Sequence, residues 1–200
     1  MEKNDFVIDI DFLKRKSLNK YTGSDRVVVI PEGVACIGSC AFENMDFIDT
    51  VILPESVIDI GYGAFRCSSI SHVTLPKNVK LIGAYAFESC KNLKTLEIQN
   101  PDVSFSQRPF GREIVDFEIV FGGTCDRFKE AARRGFCSSG THQSGDYYHP
   151  SSSRFEYCEY TAYRHIFSDT LSHPFVCTVK CTDGELVYHE MADASWVATK

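Results

Sequence analysis

The sequence predicts an α/β solenoid of stacked β-coils, each coil one turn of a repeating frame. Three observations carry this. Val28–Phe42 (VVIPEGVACIGSCAF), Val51–Phe65 (VILPESVIDIGYGAF) and Val73–Phe87 (VTLPKNVKLIGAYAF) align position by position. Their landmarks keep step: Pro31, Pro54 and Pro76; Gly38, Gly61 and Gly83; and the pairs Ala41-Phe42, Ala64-Phe65 and Ala86-Phe87, at a period of 23 and then 22 residues. Each unit is joined to the next by a short run, Ile48–Leu53, Ile70–Leu75 or Leu93–Ile98, with the period-2 alternation of a strand buried on one face. A fixed period between 20 and 50 residues is the signature of coils stacked one on another.

Taken in order, residues 1–27 hold two β-like runs, Phe6–Ile10 and Phe12–Leu13, before the turn-like Tyr21-Thr22-Gly23. A solenoid must cover the apolar face of its first coil, so this segment is read as an N-terminal β cap. Residues 28–124 form the solenoid. In the first three coils a proline (Pro31, Pro54, Pro76) ends the strand because it cannot donate a ladder hydrogen bond. Val57 and Ile60 then point inward, and Gly61 permits a tight or positive-φ bend. The alanines allow close approach of neighbouring coils, and Phe42, Phe65, Phe87 and Phe110 are expected to stack as an aromatic spine. The fourth coil is degenerate, with Phe105, Ser106 and Pro109 in place of isoleucine, glycine and alanine, yet Phe110 keeps the 23-residue spacing and Ile119-Val120-Phe121 ends a strand.

Residues 125–200 read as a C-terminal cap. Thr124 is the N-cap of a helix Cys125–Arg134, with Asp126 in its first turn and Gly135 at its end. Phe128 and Ala132 share one face, and Glu130 and Arg134 can pair on another. A hairpin follows, Phe175–Cys181 and Glu185–His189 about the turn Thr182-Asp183-Gly184. Between helix and hairpin, residues 138–174 are rich in serine and in aromatics (Tyr147, Tyr148, Phe155, Tyr157, Tyr160, Tyr163 and Phe167), which suits an insertion packed by its rings. Met191 to Lys200, with the lone Trp196, reads as a loose tail.

Composition narrows the function. The net charge is −6, and no basic run exceeds Lys14-Arg15-Lys16 and Arg133-Arg134, which argues against nucleic acid as a partner. No stretch reaches the length of a membrane span. The N-terminal MEKNDFVIDIDFLKRK lacks the apolar core of a secretory signal, so the chain reads as cytoplasmic. Nine cysteines, an odd count with no C-x-x-C pair, fit reduced thiols. Cys67 and Cys90, standing where Met45 stands in the first coil, read as core fillers, and Cys177 and Cys181 as packing residues on one side of a strand. Cys137, His142, His149, Cys158, His165 and His173 lie in one segment, but their spacing matches no standard zinc pattern. No metal and no cofactor are therefore expected. Nor does any G-x-S-x-G, H-E-x-x-H, Walker or dinucleotide-binding frame occur, which points away from an enzyme.

The candidate site is the outer face of the strand ladder. With Leu53, Leu75 and Ile98 pointing inward, Val29, Ile52, Thr74, Glu97 and Val120 form one outward row, and Thr50, His72 and Thr95 a parallel one. Val29, Ile52 and Val120 are apolar where a solvated row would be polar. Two covers compete: a protein partner, or the aromatic insertion folding back over the face.

Residues 53–73 (LPESVIDIGYGAFRCSSISHV) and 75–96 (LPKNVKLIGAYAFESCKNLKTL) resemble the repeats of the BspA-like bacterial leucine-rich repeat family, L-P-x-x-V-x-x-I-G-x-x-A-F-x-x-C-x-x-L-x-x-V. The likeness is close from Val27 to Phe121 and extends more weakly to Phe121-Gly122-Gly123-Thr124 with its helix and to Val179–Gly184. It implies a right-handed leucine-rich repeat solenoid of about four 22–23-residue coils and a non-enzymatic protein-binding or scaffold module. Such proteins are commonly at the cell surface or secreted, so an adhesin for host protein or glycan is one alternative. A small metal- or thiol-dependent protein, its site in the Cys/His-rich insertion, is another.

Overall fold

Alternate strands of the chain build two β-ladders, one on each side of a shared core. The computed structural model describes residues 5–11, 13–106, 108–110, 117–137, 176–190 and 196–199, of which 133–137, 188–190 and 196–199 are described by backbone alone. Its elements are β1 (Phe6–Ile10), β2 (Lys16–Tyr21), β3 (Val27–Val29), β4 (Val34–Ile37), β5 (Thr50–Ile52), β6 (Asp59–Ile60), β7 (His72–Leu75), β8 (Leu81–Ile82), β9 (Thr95–Ile98), β10 (Ser104–Phe105), β11 (Phe117–Phe121), α1 (Cys125–Cys137), β12 (Val176–Cys181), β13 (Gly184–Glu190) and β14 (Trp196–Thr199). One sheet runs β1-β2-β4-β6-β8-β10, the other β14-β13-β12-β11-β9-β7-β5-β3. From β2 onward each coil gives one strand to each sheet, and the coil-to-coil pairs are parallel. This is the predicted solenoid of about four coils.

The aromatic spine forms as expected. Phe42 and Phe65 stack with centroids 5.2 Å apart and planes 11° from parallel, Phe65 and Phe87 at 5.3 Å and 9°, and Phe87 and Phe110 at 5.9 Å. All four rings are buried. Beside them Gly61 and Gly83 are needed for approach rather than for conformation. A Cβ on Gly83 would lie 2.6 Å from the carbonyl carbon of Gly61, and one on Gly61 would lie 2.8 Å from that of Gly38. The positive-φ bend expected at Gly61 falls elsewhere. Each coil turns through two left-handed residues, two before and two after its spine aromatic: Cys40 and Asn44, Gly63 and Cys67, Tyr85 and Ser89.

That geometry corrects the reading of one cysteine. Cys67 shares its place with Asn44 and Ser89 and is exposed, whereas the inward place one residue later holds Met45, Ser68 and Cys90. Ser68 and Cys90 are buried in contact, 3.6 Å apart, and the Cys90 thiol donates to the Phe65 carbonyl at 3.0 Å. The 22-residue coil has therefore lost its residue between Ser68 and Ile70, after this site and not before it.

Both ends hold more structure than the repeat frame shows. β2 lies inside the first ladder, with Leu18 opposite Ile37, and the Leu18 carbonyl accepts from the Gly38 N–H at 2.7 Å. Tyr21 heads the spine, 5.7 Å from Phe42. Only three positions separate Leu18 from Tyr21, against five between Ile37 and Phe42, so the shortened bend hides the frame from a sequence alignment. β1 then pairs antiparallel with β2 and closes this edge.

At the other end Thr124 Oγ1 accepts the Arg127 N–H at 3.2 Å, the expected N-cap. The helix runs past Gly135 to Cys137, because a helix-interior glycine costs only about 1 kcal/mol and does not end a helix by itself. Phe128 sits edge-on to Phe105 at 5.9 Å and Phe121 at 5.2 Å, which lays α1 over the last coil as a lid on the core. β12 extends the second ladder parallel to β11, and β13 returns beside it as the predicted hairpin. The segment read as a loose tail contributes β14, antiparallel to β13. The aromatic insertion 138–174, with His142, His149, Cys158, His165 and His173, lies outside the described residues, as do the side chains of Cys137 and Arg134.

Two outcomes follow from this packing. Phe65→Ala should lower stability by about 3–5 kcal/mol, read as a fall in the urea midpoint, and Gly83→Ala should lower it too, although glycine is the poorer strand former. Burial pushes the Cys36 thiol up to about 11 and the Cys90 thiol up to about 12, which depletes their thiolates at neutral pH. Iodoacetamide applied to the native chain should accordingly alkylate Cys67 well before Cys36 or Cys90, with peptide mass spectrometry as the measurement.

Candidate functional site

The outer face of the second ladder presents two straight rows because its strands pair one-to-one. Val29, Ile52, Thr74, Glu97, Val120 and Lys180 are successive partners, as are Val27, Thr50, His72, Thr95, Glu118 and Thr178. Between the rows Val28, Val51, Val73, Leu96, Ile119 and Val179 are buried. The structure thus brings together all eight residues singled out from the sequence and adds Val27, Glu118, Thr178 and Lys180 to the same face. Val27 was legible too, since it lies two positions before Val29.

The face is graded along its length. Val27, Val29 and Ile52 are 53%, 60% and 49% exposed and cluster on β3 and β5. Further along, Thr74 donates to Glu97 at 3.2 Å and Gln99 to Glu97 at 3.1 Å, and Lys180 pairs with Glu118 at 2.6 Å. The Glu118 carboxylate raises the pKa of Lys180 through that hydrogen bond. Val120 stands half-buried between Glu97 and Lys180, so the apolar patch is confined to the first two strands. A groove of about 240 Å³ runs beside it, lined among others by Thr50, Ile52, Glu55, His72 and Thr74. His72 has Thr50 and Thr95 as its strand partners.

Two other side-chain groups escaped sequence reading because they join distant segments. Arg15 donates to Asp11 at 2.8 Å and to Asp59 at 2.5 Å, across a hollow of about 460 Å³ that also holds Cys36. Hydrogen bonding to Asp59, then to Asp11, raises the pKa of Arg15, and bonds led by the Arg15 backbone N–H lower that of Asp11. The Cys36 thiol lies 3.7 Å from Asp11 and 3.9 Å from Asp59, held protonated chiefly by burial. This group ties the β1–β2 turn to the second coil and is fully used in doing so. The other group is Cys125, Cys181 and Asp183, whose donor atoms lie within 4.8 Å of one another. Among the described residues it is a metal-capable cluster, and it lies outside the segment where the sequence concentrates its histidines.

Residues 16–133 match the BspA type Leucine rich repeat region in six copies, a span that begins at β2 and ends within α1. Among solved structures, the chain is similar to a leucine-rich repeat protein from Bacteroides capillosus ATCC 29799, at 30% identity over 53% of this chain and 86% of that one, with a TM-score of 0.47. It is also similar to the T. pallidum leucine rich repeat protein, at 16% identity over 62% and 73% of the two chains and a TM-score of 0.42. A leucine rich cell surface protein from Faecalibacterium prausnitzii A2-165 aligns at 19% identity over 98% of this chain and 59% of that one, with a TM-score of 0.43. No match was found among curated proteins. The repeat match spans more than half of the sequence and coincides with the stacked frame of the two ladders: the chain belongs to the BspA type leucine rich repeat family.

Proposed function

We propose that the chain is a non-enzymatic protein-interaction module that holds its partner on the strand face, anchored at Val27, Val29 and Ile52. The observation that carries this reading is the cluster of three half-exposed aliphatic side chains at one end of an otherwise polar face. Stacking fixes their spacing, so they meet a partner already ordered, and little conformational entropy is lost at the interface. Burying each is worth about 1.5–3 kcal/mol at most, enough for an apolar centre. Thr50, Thr74, His72 and Glu97 around it supply the polar rim that interfaces of this kind carry. The grading favours a partner whose apolar contact abuts hydrogen-bonding groups, and the groove at Ile52 and His72 gives a side chain a place to enter.

The test uses the full chain as bait in extracts of the cells that produce it. Val29→Lys and Ile52→Lys should each lose the same captured protein, whereas Ile10→Lys, an exposed aliphatic on the first sheet, should keep it. Capture that survives both lysines would overturn the reading. Hydrogen exchange addresses the competing cover. Removing residues 138–174 should leave β3, β5 and β7 protected as before; faster exchange there would mean that the insertion itself occupies the face.

A further inference from the structure

We propose that Cys125, Cys181 and Asp183 form a binding site for a thiophilic divalent cation of the zinc class, clasping the capping helix to the terminal hairpin. The three residues come from three places: the first residue of α1, the last of β12 and the β12–β13 turn. One backbone-to-carboxylate and one backbone-to-backbone hydrogen bond align these segments without help from a metal. The Cys125 N–H donates to Asp183 Oδ1 at 2.8 Å, and the Thr182 N–H to the Gly123 carbonyl at 3.0 Å. Two thiols, not joined in a disulfide, and a carboxylate thereby bring their donor atoms within 4.8 Å of one another.

Zinc bonds of about 2.3 Å to sulfur and 2.0–2.2 Å to oxygen place tetrahedral donors roughly 3.3–3.8 Å apart, so side-chain adjustments of about an ångström suffice. Two thiolates and a carboxylate are a soft, triply negative donor set, which selects zinc-like ions over magnesium or calcium. Without the ion, burial and then the Cys125 thiol push the Cys181 thiol up to about 12, so the thiols lose their protons as the metal binds. Cys125 is buried, Cys181 half-buried and Asp183 exposed, so the ion would have protein on one side and water on the other. Three protein donors leave a fourth coordination position, which water can take. The site adjoins β12, which β11, β9 and β7 separate from β5 and β3, so it lies apart from the apolar cluster of Val27, Val29 and Ile52.

Cobalt(II) titration of the reduced, metal-stripped full chain tests this, because thiolate-bound tetrahedral cobalt has a sulfur-to-metal charge-transfer band and intense visible bands. One equivalent should saturate the signal, and added zinc should bleach it. Cys125→Ser and Cys181→Ser should abolish it, and Cys67→Ser should leave it unchanged. Asp183→Asn keeps an oxygen to cap the helix, so it should fold normally and still bind cobalt at least about tenfold more weakly. Unchanged affinity in Asp183→Asn, a signal that persists in the Cys125→Ser/Cys181→Ser double variant, or no signal in the parent chain would each overturn the proposal.

Discussion

The stacking distance between coils is the constraint on which everything else rests. Parallel strands in a sheet lie about 4.8 Å apart, and two sheets in one chain must keep that distance together. The phenylalanine rings, 5.2–5.3 Å apart in the central coils, nearly match it, and glycine at 61 and 83 omits a Cβ that would press on the backbone of the coil before. Once this spacing is set, every position of one coil lies over its equivalent in the next. Inside, that produces a column of rings; outside, it produces the two rows.

The same constraint explains what could be read from the sequence. The spine and the two rows follow from single positions repeated with the coil, so Phe110 and Val120 were found even where the frame had decayed. Features that break the period were not. β2 lacks the two residues that would have aligned Tyr21 with Phe42, and the side on which Cys67 falls depends on a left-handed backbone that no residue type announces. β14 is too short to show alternation. Arg15 with Asp59, and Cys125 with Cys181, meet through separations of 44 and 56 residues that no local pattern encodes.

The repeat also explains why the candidate site is a surface and not a cleft. A solenoid brings equivalent residues into lines, which suits extended contact, while catalysis needs unlike groups converging on one point. The mixed clusters occur where the repeat is interrupted. Asp11, Arg15 and Asp59 join the N-terminal cap to the second coil, and Cys125, Cys181 and Asp183 meet beyond the last. Periodic stretches make the face, and the two ends make the chemistry.

The residue missing between Ser68 and Ile70 shows how the stack absorbs a change in length. Thr50, His72 and Thr95 remain partners although one coil is shorter, so the bend takes up the difference and neither ladder shifts. That bend is a seam in the architecture: its length can vary while the register on either side stays fixed. Natural insertions and engineered loops placed there would emerge from the flank of the stack, adding a new surface without disturbing the lines of side chains on the strand face.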